Sequence, residues 1–455
     1  MDIKVSVIVP SLNVADYIKE CMDSIIGQTL QELEIICIDA GSTDGTFEIL
    51  QKYAERDARI KLIRSDKKSY GYQINLGIRT AKGEYLGIVE TDDYIDEKMY
   101  QELYQVAVEH DLDFVKAGFD VFVTPEKGER YLLPYSMANV NQVISSDYFT
   151  SGELSSDIYI WNGIYKLSFL RAYGICLNET PGAAFQDCGF RYLVDIHLRK
   201  GMFLDKSFYR YRRDNGGSST YHPNCVRYNL EECKYLRRRI EEEQITDRKI
   251  HSFVARETVM MALEPYITFR GCCEPDDETK AALDEFREII KKDREQGLLR
   301  QEEMLPKHWI EMRLFTESPE ACEAYIAISA DARYAPYRKF VKEMSEKEQI
   351  VVFCAGKTAA YALCLMRMNG VRTIQAFCDN KKDKWGDTYM GYPVLSPEDA
   401  VKKYPKAHFL IANRVHNKKI EEQLYLLGVS ETSVSTYMLP LLPMECTNYF
   451  MKLYQ

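Results

Sequence analysis

The sequence predicts an α/β protein: an open parallel sheet with helices on both faces, then a helical middle region and a second, smaller α/β module. Three observations carry this. Short β-branched runs alternate with amphipathic segments from residue 4 to about 89. Residues 223–345 lose the strand signal and keep only helical spacing, and from residue 348 the alternation of strand and helix restarts. Strict alternation of β and α units of this length is the signature of a doubly covered sheet.

The elements follow in order. Residues 4–9, KVSVIV, form a nearly continuous β-branched run, as expected of a strand buried on both faces. Tyr17, Ile18, Cys21, Met22, Ile25 and Ile26 then repeat at helical spacing up to Gly27. EIICI (34–38) is a strand, and Phe47, Leu50 and Tyr53 mark one side of the next helix. KLI (61–63) is a short strand, Ile74, Gly77, Ile78 and Ala81 a third helix, and YLGIV the strand after Gly83. In such sheets ligands bind beyond the carboxyl ends of the strands. Three strands here end in polar residues: Pro10-Ser11-Leu12-Asn13, Asp39-Ala40-Gly41-Ser42 and Glu90-Thr91-Asp92-Asp93. Three acids within four residues repel one another unless water screens them or a cation sits among them. A solvated turn capping the next helix is the bland account. A divalent cation carrying a phosphorylated substrate is the sharper one, and the convergence of three polar strand ends on one edge favours it.

Composition narrows the class. The 455 residues exceed a single core, so two or three domains are expected, at 1–222, 223–345 and 346–455. A net charge of −10 speaks against a general nucleic-acid binder. No apolar run approaches the ~20 residues that span a bilayer, and MDIKVSVIVPSLN lacks the layout of a signal peptide. Thirteen cysteines, several inside apolar runs (Cys37, Cys354, Cys378), form no C-x-x-C pair, which fits reduced core thiols better than disulfides or zinc. A cytosolic location follows as an expectation.

VSVIVPSLN, IDAGSTDGT, INLGIRTAKGEYLGIVETDD and, far downstream, FQDCGFRYL together resemble the inverting glycosyltransferases of family 2, which have the GT-A fold. The resemblance spans roughly residues 4–222, with four motifs in order. DIYIWNGIYKLSFL and YRYRRDNGGSST are similar to segments of capsule and cell-surface polysaccharide members. It implies a nucleotide-sugar donor, a UDP-sugar foremost, a glycan or lipid-linked acceptor, and Mn2+ or Mg2+. Asp39 matches the acid that bonds base or ribose, against the alternative of a strand-end turn residue, and Pro10, Ser11, Leu12 and Asn13 would line the base pocket. Two positions depart from the family: Ala40 stands where a second Asp is usual, and Leu12 where an aromatic is common. Asp92 and Asp93 match the metal motif, Asp93 on the ion and Asp92 reaching ribose or a metal-bound water, while Glu90 replaces the more usual Asp. Lys68, with Lys67, Arg210, Arg212 and Arg213, is a candidate for positive charge near the diphosphate, against a solvated surface. Asp187 matches the catalytic base, with Gln186 in place of the usual Glu, and an N-cap role is its structural alternative. Trp161 and Asn162 lie where members build acceptor contacts, although a lone Trp is more often core.

Other readings remain to be weighed. A sugar nucleotidyltransferase would need a glycine-rich basic loop after the first strand, and PSLNVADYI has no glycine. A non-catalytic scaffold would have lost the metal pair or the base, and both are present. In the middle region KYLRRR is answered by Glu241–Glu243, so a self-paired helix face is expected. His222 follows the sheet domain and could approach the metal, although a surface role is the commoner one for a histidine. Residues 346–455 look like the Rossmann-like module of various sugar-metabolic enzymes, but CAGKTAA keeps only Gly356 of a G-x-G-x-x-G pattern, with Asp379 placed as a ribose-binding acid would be. A docking or homo-oligomerisation role is favoured over a dinucleotide site. The tail LPLLPMECTNYFMKLY suggests a partner surface or a peripheral contact at the inner face of the membrane.

Overall fold

The structure is a computed structural model, and it describes residues 2–124, 130–135, 137, 139–151, 159–213, 215, 224–270 and 274–439. The order begins β1 (Val5–Ser11), α1 (Ile18–Ile26), β2 (Leu33–Asp39), α2 (Thr46–Ala54), β3 (Ile60–Arg64), α3 (Tyr70–Thr80), β4 (Tyr85–Ile88), β5 (Tyr94–Ile95) and α4 (Met99–Glu109). It continues with β6 (Phe114–Val123), β7 (Tyr131–Tyr135), β8 (Val143–Ile144), α5 (Ser146–Thr150), β9 (Gly163–Lys166), α6 (Leu167–Ala172), α7 (Gln186–His197) and β10 (Gly201–Arg212). Five helices follow: α8 (Cys225–Glu242), α9 (Arg248–Arg270), α10 (Asp277–Glu295), α11 (Pro306–Glu317) and α12 (Pro319–Ser345). The last part holds β11 (Ile350–Phe353), α13 (Lys357–Met368), β12 (Ile374–Cys378), β13 (Thr388–Tyr389), β14 (Tyr392–Leu395), α14 (Pro397–Lys403), β15 (His408–Ile411), α15 (Asn417–Leu426) and β16 (Val434–Thr436).

Compactness divides the chain into two units. One comprises residues 1–119, 136–211 and 217–330; the other comprises 120–135, 212–216 and 331–455. The expected helical region up to residue 330 therefore belongs with the first unit, and two short segments from the N-terminal half belong with the second.

The larger sheet runs β3-β2-β1-β4-β9-β6-β10-β5. Its first four strands are parallel, with Val9 opposite Cys37 and Val7 opposite Gly87. Every residue of β1 and β2 is buried, which is what their unbroken apolar runs require of central parallel strands. Beyond β4 the sheet turns antiparallel through β9. The sequence reading of an open parallel sheet is thus corrected to a mixed one. The antiparallel strands are short, or, like β6, lie outside the β/α rhythm that marks the first half.

In the middle helices the basic run pairs as expected at Arg238 with Glu242 and Arg239 with Glu243. Arg237 and Lys234 instead reach across to Asp293 and Glu285 on α10. The smaller sheet, β13-β14-β12-β11-β15-β16, is parallel at its centre and packs Val351, Phe353, Cys378, Phe409, Ile411 and Leu424 into one core. Cys37 and Cys378 are buried free thiols, as their apolar surroundings imply. No helix among the described residues is long and apolar enough to cross a membrane.

Candidate active site

The carboxyl ends of β1 and β2 are laced together by their loops. Asn13, with φ 54°, accepts from Thr43 N through Oδ1 at 2.9 Å, and its own amide donates to Ser42 Oγ at 2.9 Å. Val14 N donates to Thr46 Oγ1 and Ala15 N to Asp44 Oδ2. Asp39 is 1% exposed, and its carboxylate accepts the amides of Gly41 and Ser42 at 3.0 Å each, as well as the Ser42 hydroxyl. Those bonds make Asp39 the turn-former of its own loop. Ser11 is likewise buried, its Oγ donating to Ile38 O. Pro10 is buried in β1, whereas Leu12 stands 38% exposed at the mouth. The Lys68 side chain lies over the Asp39 loop, its Cε 4.0 Å from where a Cβ on Gly41 would be.

The acidic turn after β4 is tightly built. Asp93 N donates to Glu90 O at 3.1 Å and closes the turn. Tyr209 on β10 holds it from outside: its hydroxyl accepts from Glu90 N at 3.0 Å and donates to Asp93 Oδ2 at 2.8 Å. Tyr209 is fully buried and stacks on Trp161 with ring centroids 4.1 Å apart. Asp93 is 1% exposed, so Asp92, half-buried, is the more accessible of the pair. Tyr70 donates to Glu90 Oε1 at 2.5 Å. Burial pushes the Glu90 carboxyl up to about 8; the Tyr70 bond opposes this, and the charges of Asp92 and Asp187 add to it. Two separate elements therefore bring Asp92 and Asp187 into one electrostatic field.

Asp187 sits in the first turn of α7, where the helix dipole favours a carboxylate. The cap itself is Phe185, with φ 64° in the left-handed region and no side-chain capping bond, so Asp187 is not the N-cap. Gln186 is 1% exposed and ties the preceding loop: Oε1 accepts from Ala184 N at 2.7 Å, while Nε2 donates to Thr180 Oγ1 at 3.0 Å and Gly182 O at 3.2 Å. That loop is zipped to α3, with Tyr70 N donating to Gly182 O and Gly182 N to Lys68 O, both at 2.9 Å. Burial raises the Asp187 carboxyl above the usual range, against its backbone amide bond and the Arg191 charge, which lower it. A raised pKa makes a stronger base.

Other expected residues fall elsewhere. Trp161 and Asn162 are 5% and 1% exposed. Trp161 belongs to an aromatic cluster with Phe119, Tyr159, Tyr209 and Tyr211, and Asn162 Nδ2 donates to Ala117 O. Both side chains pack inside the sheet domain. Lys67 faces Glu179 at 3.5 Å, Arg210 faces Asp96 at 3.8 Å, Arg212 lies over the Phe122 ring, and Arg213 is 1% exposed. His222 and the tail from residue 440 lie outside the described residues. Sequence reasoning missed Tyr70 and Tyr209. For Tyr209 a signal existed: Tyr209 and Tyr211 alternate on one face of a strand.

In the second unit, Asp379 directly follows β12, with Oδ2 accepting from Ala355 N at 2.9 Å and from Lys384 Nζ at 3.1 Å, and Oδ1 from Lys381 N at 2.9 Å.

Comparison with known proteins places these geometries. Residues 6–171 match the family model described as Glycosyl transferase family 2, and residues 346–435 one described as C2185-like, N-terminal. Glycosyltransferase GlyG of Streptococcus pneumoniae serotype 4 is 42% identical over 226 residues, which cover 47% of this chain and 71% of that protein. Uncharacterized glycosyltransferase EpsJ of Bacillus subtilis is 33% identical over 224 residues, covering 48% of this chain and 63% of that one, so the chain spans less than two thirds of EpsJ. The structure of S. aureus TarS 1-349 in complex with UDP-GlcNAc is similar with a TM-score of 0.55 at 18% identity, covering 73% of this chain and 92% of that chain. At that identity the likeness is one of fold.

Proposed function

The chain belongs to glycosyl transferase family 2, and from that premise we propose that it is an inverting, metal-dependent glycosyltransferase of cell-surface polysaccharide synthesis. It moves a sugar from a UDP-sugar to a glycan or lipid-linked acceptor. The observation that carries this is that Tyr70 joins the two parts: its hydroxyl donates to Glu90 Oε1 of the acidic turn, and its amide donates to Gly182 O in the loop that leads into the first turn of α7 and Asp187. That link supports a base and a diphosphate-side turn acting at one site, as displacement at an anomeric carbon requires. The UDP-sugar donor is supported by the UDP-GlcNAc in the TarS neighbour.

The donor set suits Mg2+ or Mn2+. Asp92 and Asp93 offer hard carboxylate oxygens, and among the described residues no three His, Cys, Asp or Glu side chains gather into an all-protein cage. Two carboxylates completed by phosphate oxygens is the usual shell for such an ion. When bound, the ion offsets the charge of the leaving diphosphate. Asp187 holds the proton taken from the acceptor hydroxyl on the face opposite the leaving group. The Tyr70–Glu90 bond fixes the acidic turn against the α3 end, and the Gln186 loop fixes Asp187. Lys68 and Leu12 border the donor's entry, and Asn13 and Asp39 keep that rim rigid.

The test is UDP release from a panel of UDP-sugars in Mn2+, by wild type and Asp187→Asn. The variant keeps shape and hydrogen bonding but loses the basic lone pair. UDP affinity should stay unchanged while turnover drops ~10²–10⁴-fold. Near-normal turnover in the variant would overturn Asp187 as the base.

A further inference from the structure

Three segments around the site meet at one buried carboxyl on α8. Glu232 is 1% exposed, and its Oε1 accepts from Asn178 Nδ2 at 3.0 Å. Its Oε2 presses on the first turn of α7: a Cβ built on Gly189 would lie 2.6 Å from it. A side chain at 189 would have to displace both Glu232 and Tyr235 of α8, the Tyr235 Cδ1 lying 2.8 Å from the same Cβ position. The Asn178 segment is fixed in turn to α3. Asn75 Nδ2 donates to Leu177 O and Leu177 N donates back to Asn75 Oδ1, both at 2.9 Å. The Asn178 carbonyl fills the space over Gly71, where a Cβ would sit 1.9 Å from it. One carboxyl thus ties α8 to the turn that carries Asp187 and, through Asn178, to the turn that carries Tyr70.

Such a group is costly to bury as an anion. Among the described residues no ion pair compensates it. Facing it are Asp187 and Cys188 on α7, the Gly189 amide, Asn178, and on its own helix Glu231 and Tyr235. Of the nearby cations, Arg191 faces Asp195 and Glu257, and Arg239 pairs with Glu243 and the Tyr235 hydroxyl. Hydrophobic packing would hold α7 on α8 more cheaply.

We propose that Glu232 is a positioning residue for Asp187, holding the first turn of α7 in register with α3 through Asn178 and Gly189. The proposal rests on Asp187 as the base and extends the machinery into a helix beyond the matched family region. Burial pushes the Glu232 carboxyl up to about 8; the Asn178 bond opposes this, the Asp187 charge adds to it, and the Gly189 amide opposes it. The sign follows. A carboxyl whose folded pKa lies above its unfolded value loses stability as pH rises between the two, here from about 4.5 to about 8.

Glu232→Gln removes that loss. Its Tm relative to wild type should rise between pH 5 and pH 8.5. UDP affinity by calorimetry should be unchanged, while hydrolysis of UDP-GlcNAc in Mn2+ should fall on the order of tenfold, since small misplacements of a reacting group are costly in rate. Asn178→Ala, which removes the Oε1 partner and keeps the carboxyl, should show the same loss in kcat without loss of UDP affinity. It serves alone if the Gln variant does not fold. Wild-type kcat in either variant, with Asp187→Asn inactive, overturns the proposal by itself. Full activity in Asp187→Asn overturns the base assignment and this proposal together.

Discussion

At the scale of single residues, the informative position is Gln186, where the family usually has Glu. The sequence shows a lost charge beside an intact base. The structure gives the reason for the amide: Nε2 donates to Thr180 Oγ1 and Gly182 O, and Thr180 O lies at 3.3 Å. A carboxylate there would face two carbonyl oxygens with no proton to give. Gln186→Glu, nominally a return to the family pattern, should therefore lower stability by ~1–3 kcal/mol and depress turnover. A urea titration beside a UDP-release assay checks this, and a more active variant would contradict it. Tyr209 makes a second case. Tyr209→Phe removes the hydroxyl that donates to Asp93 Oδ2 and accepts from Glu90 N, while keeping the ring on Trp161. The Mn2+-dependent part of UDP affinity should fall ~10-fold or more, with Tm little changed. Calorimetry with and without EDTA reads it; unchanged affinity would separate Asp93 from the ion. The residue types were legible in the sequence: two strand-end acids, and an Asp in a first helical turn. Their partners were not, because Tyr209 lies 116 residues from Asp93 and Tyr70 lies 20 from Glu90, and contacts at those distances leave no periodic trace.

At the scale of elements, the parallel half of the sheet was readable because buried parallel strands are unbroken apolar runs and the helices between them keep strict spacing. Where the alternation was expected to restart, from residue 348, the structure has β11, α13 (Lys357–Met368) and β12 in turn. The antiparallel half was not readable. β9 has four residues and β5 and β8 have two each, too short for any alternation to stand out. Packing between elements turns on close approaches that composition does not reveal. The N-terminus of α3 touches the Asn178 carbonyl at Gly71, with no room for a methyl group. Because the obstacle is backbone tied to Asn75 on the same helix, α3 can relieve the clash only by shifting. Gly71→Ala should cost ~1–3 kcal/mol as overpacking does, and it should displace Tyr70 from Glu90. Denaturant unfolding gives the first quantity and donor hydrolysis the second. An alanine variant as stable and active as wild type would show that the turn has slack.

At the scale of the whole molecule, chain order suggested three consecutive blocks with a detachable third. Compactness joins the chain differently: residues 120–135 and 212–216 cluster with 331–455. Within that unit β7 packs against α13, Leu133 is fully buried, and Arg213 N donates to Phe122 O at 3.0 Å. β7 pairs with β6. Sequence periodicity sees neighbours a few residues apart, so a hairpin completing its core with a helix more than two hundred residues later leaves no signal. A chain ending at residue 345 would therefore lose α13 from beneath β7 and expose apolar side chains of the hairpin to water. Such a truncation should have a lower Tm, a stronger tendency to aggregate, and reduced UDP-sugar hydrolysis, even though every acid of the proposed site precedes the cut. Circular dichroism melts and light scattering of the full and shortened chains, with hydrolysis measured on the soluble fraction, decide the matter. Equal Tm and equal hydrolysis would restore residues 346–455 to the status of a separable docking module. A loss of both that is recovered by adding the module as a separate polypeptide would show that it completes the hairpin's core by contact alone.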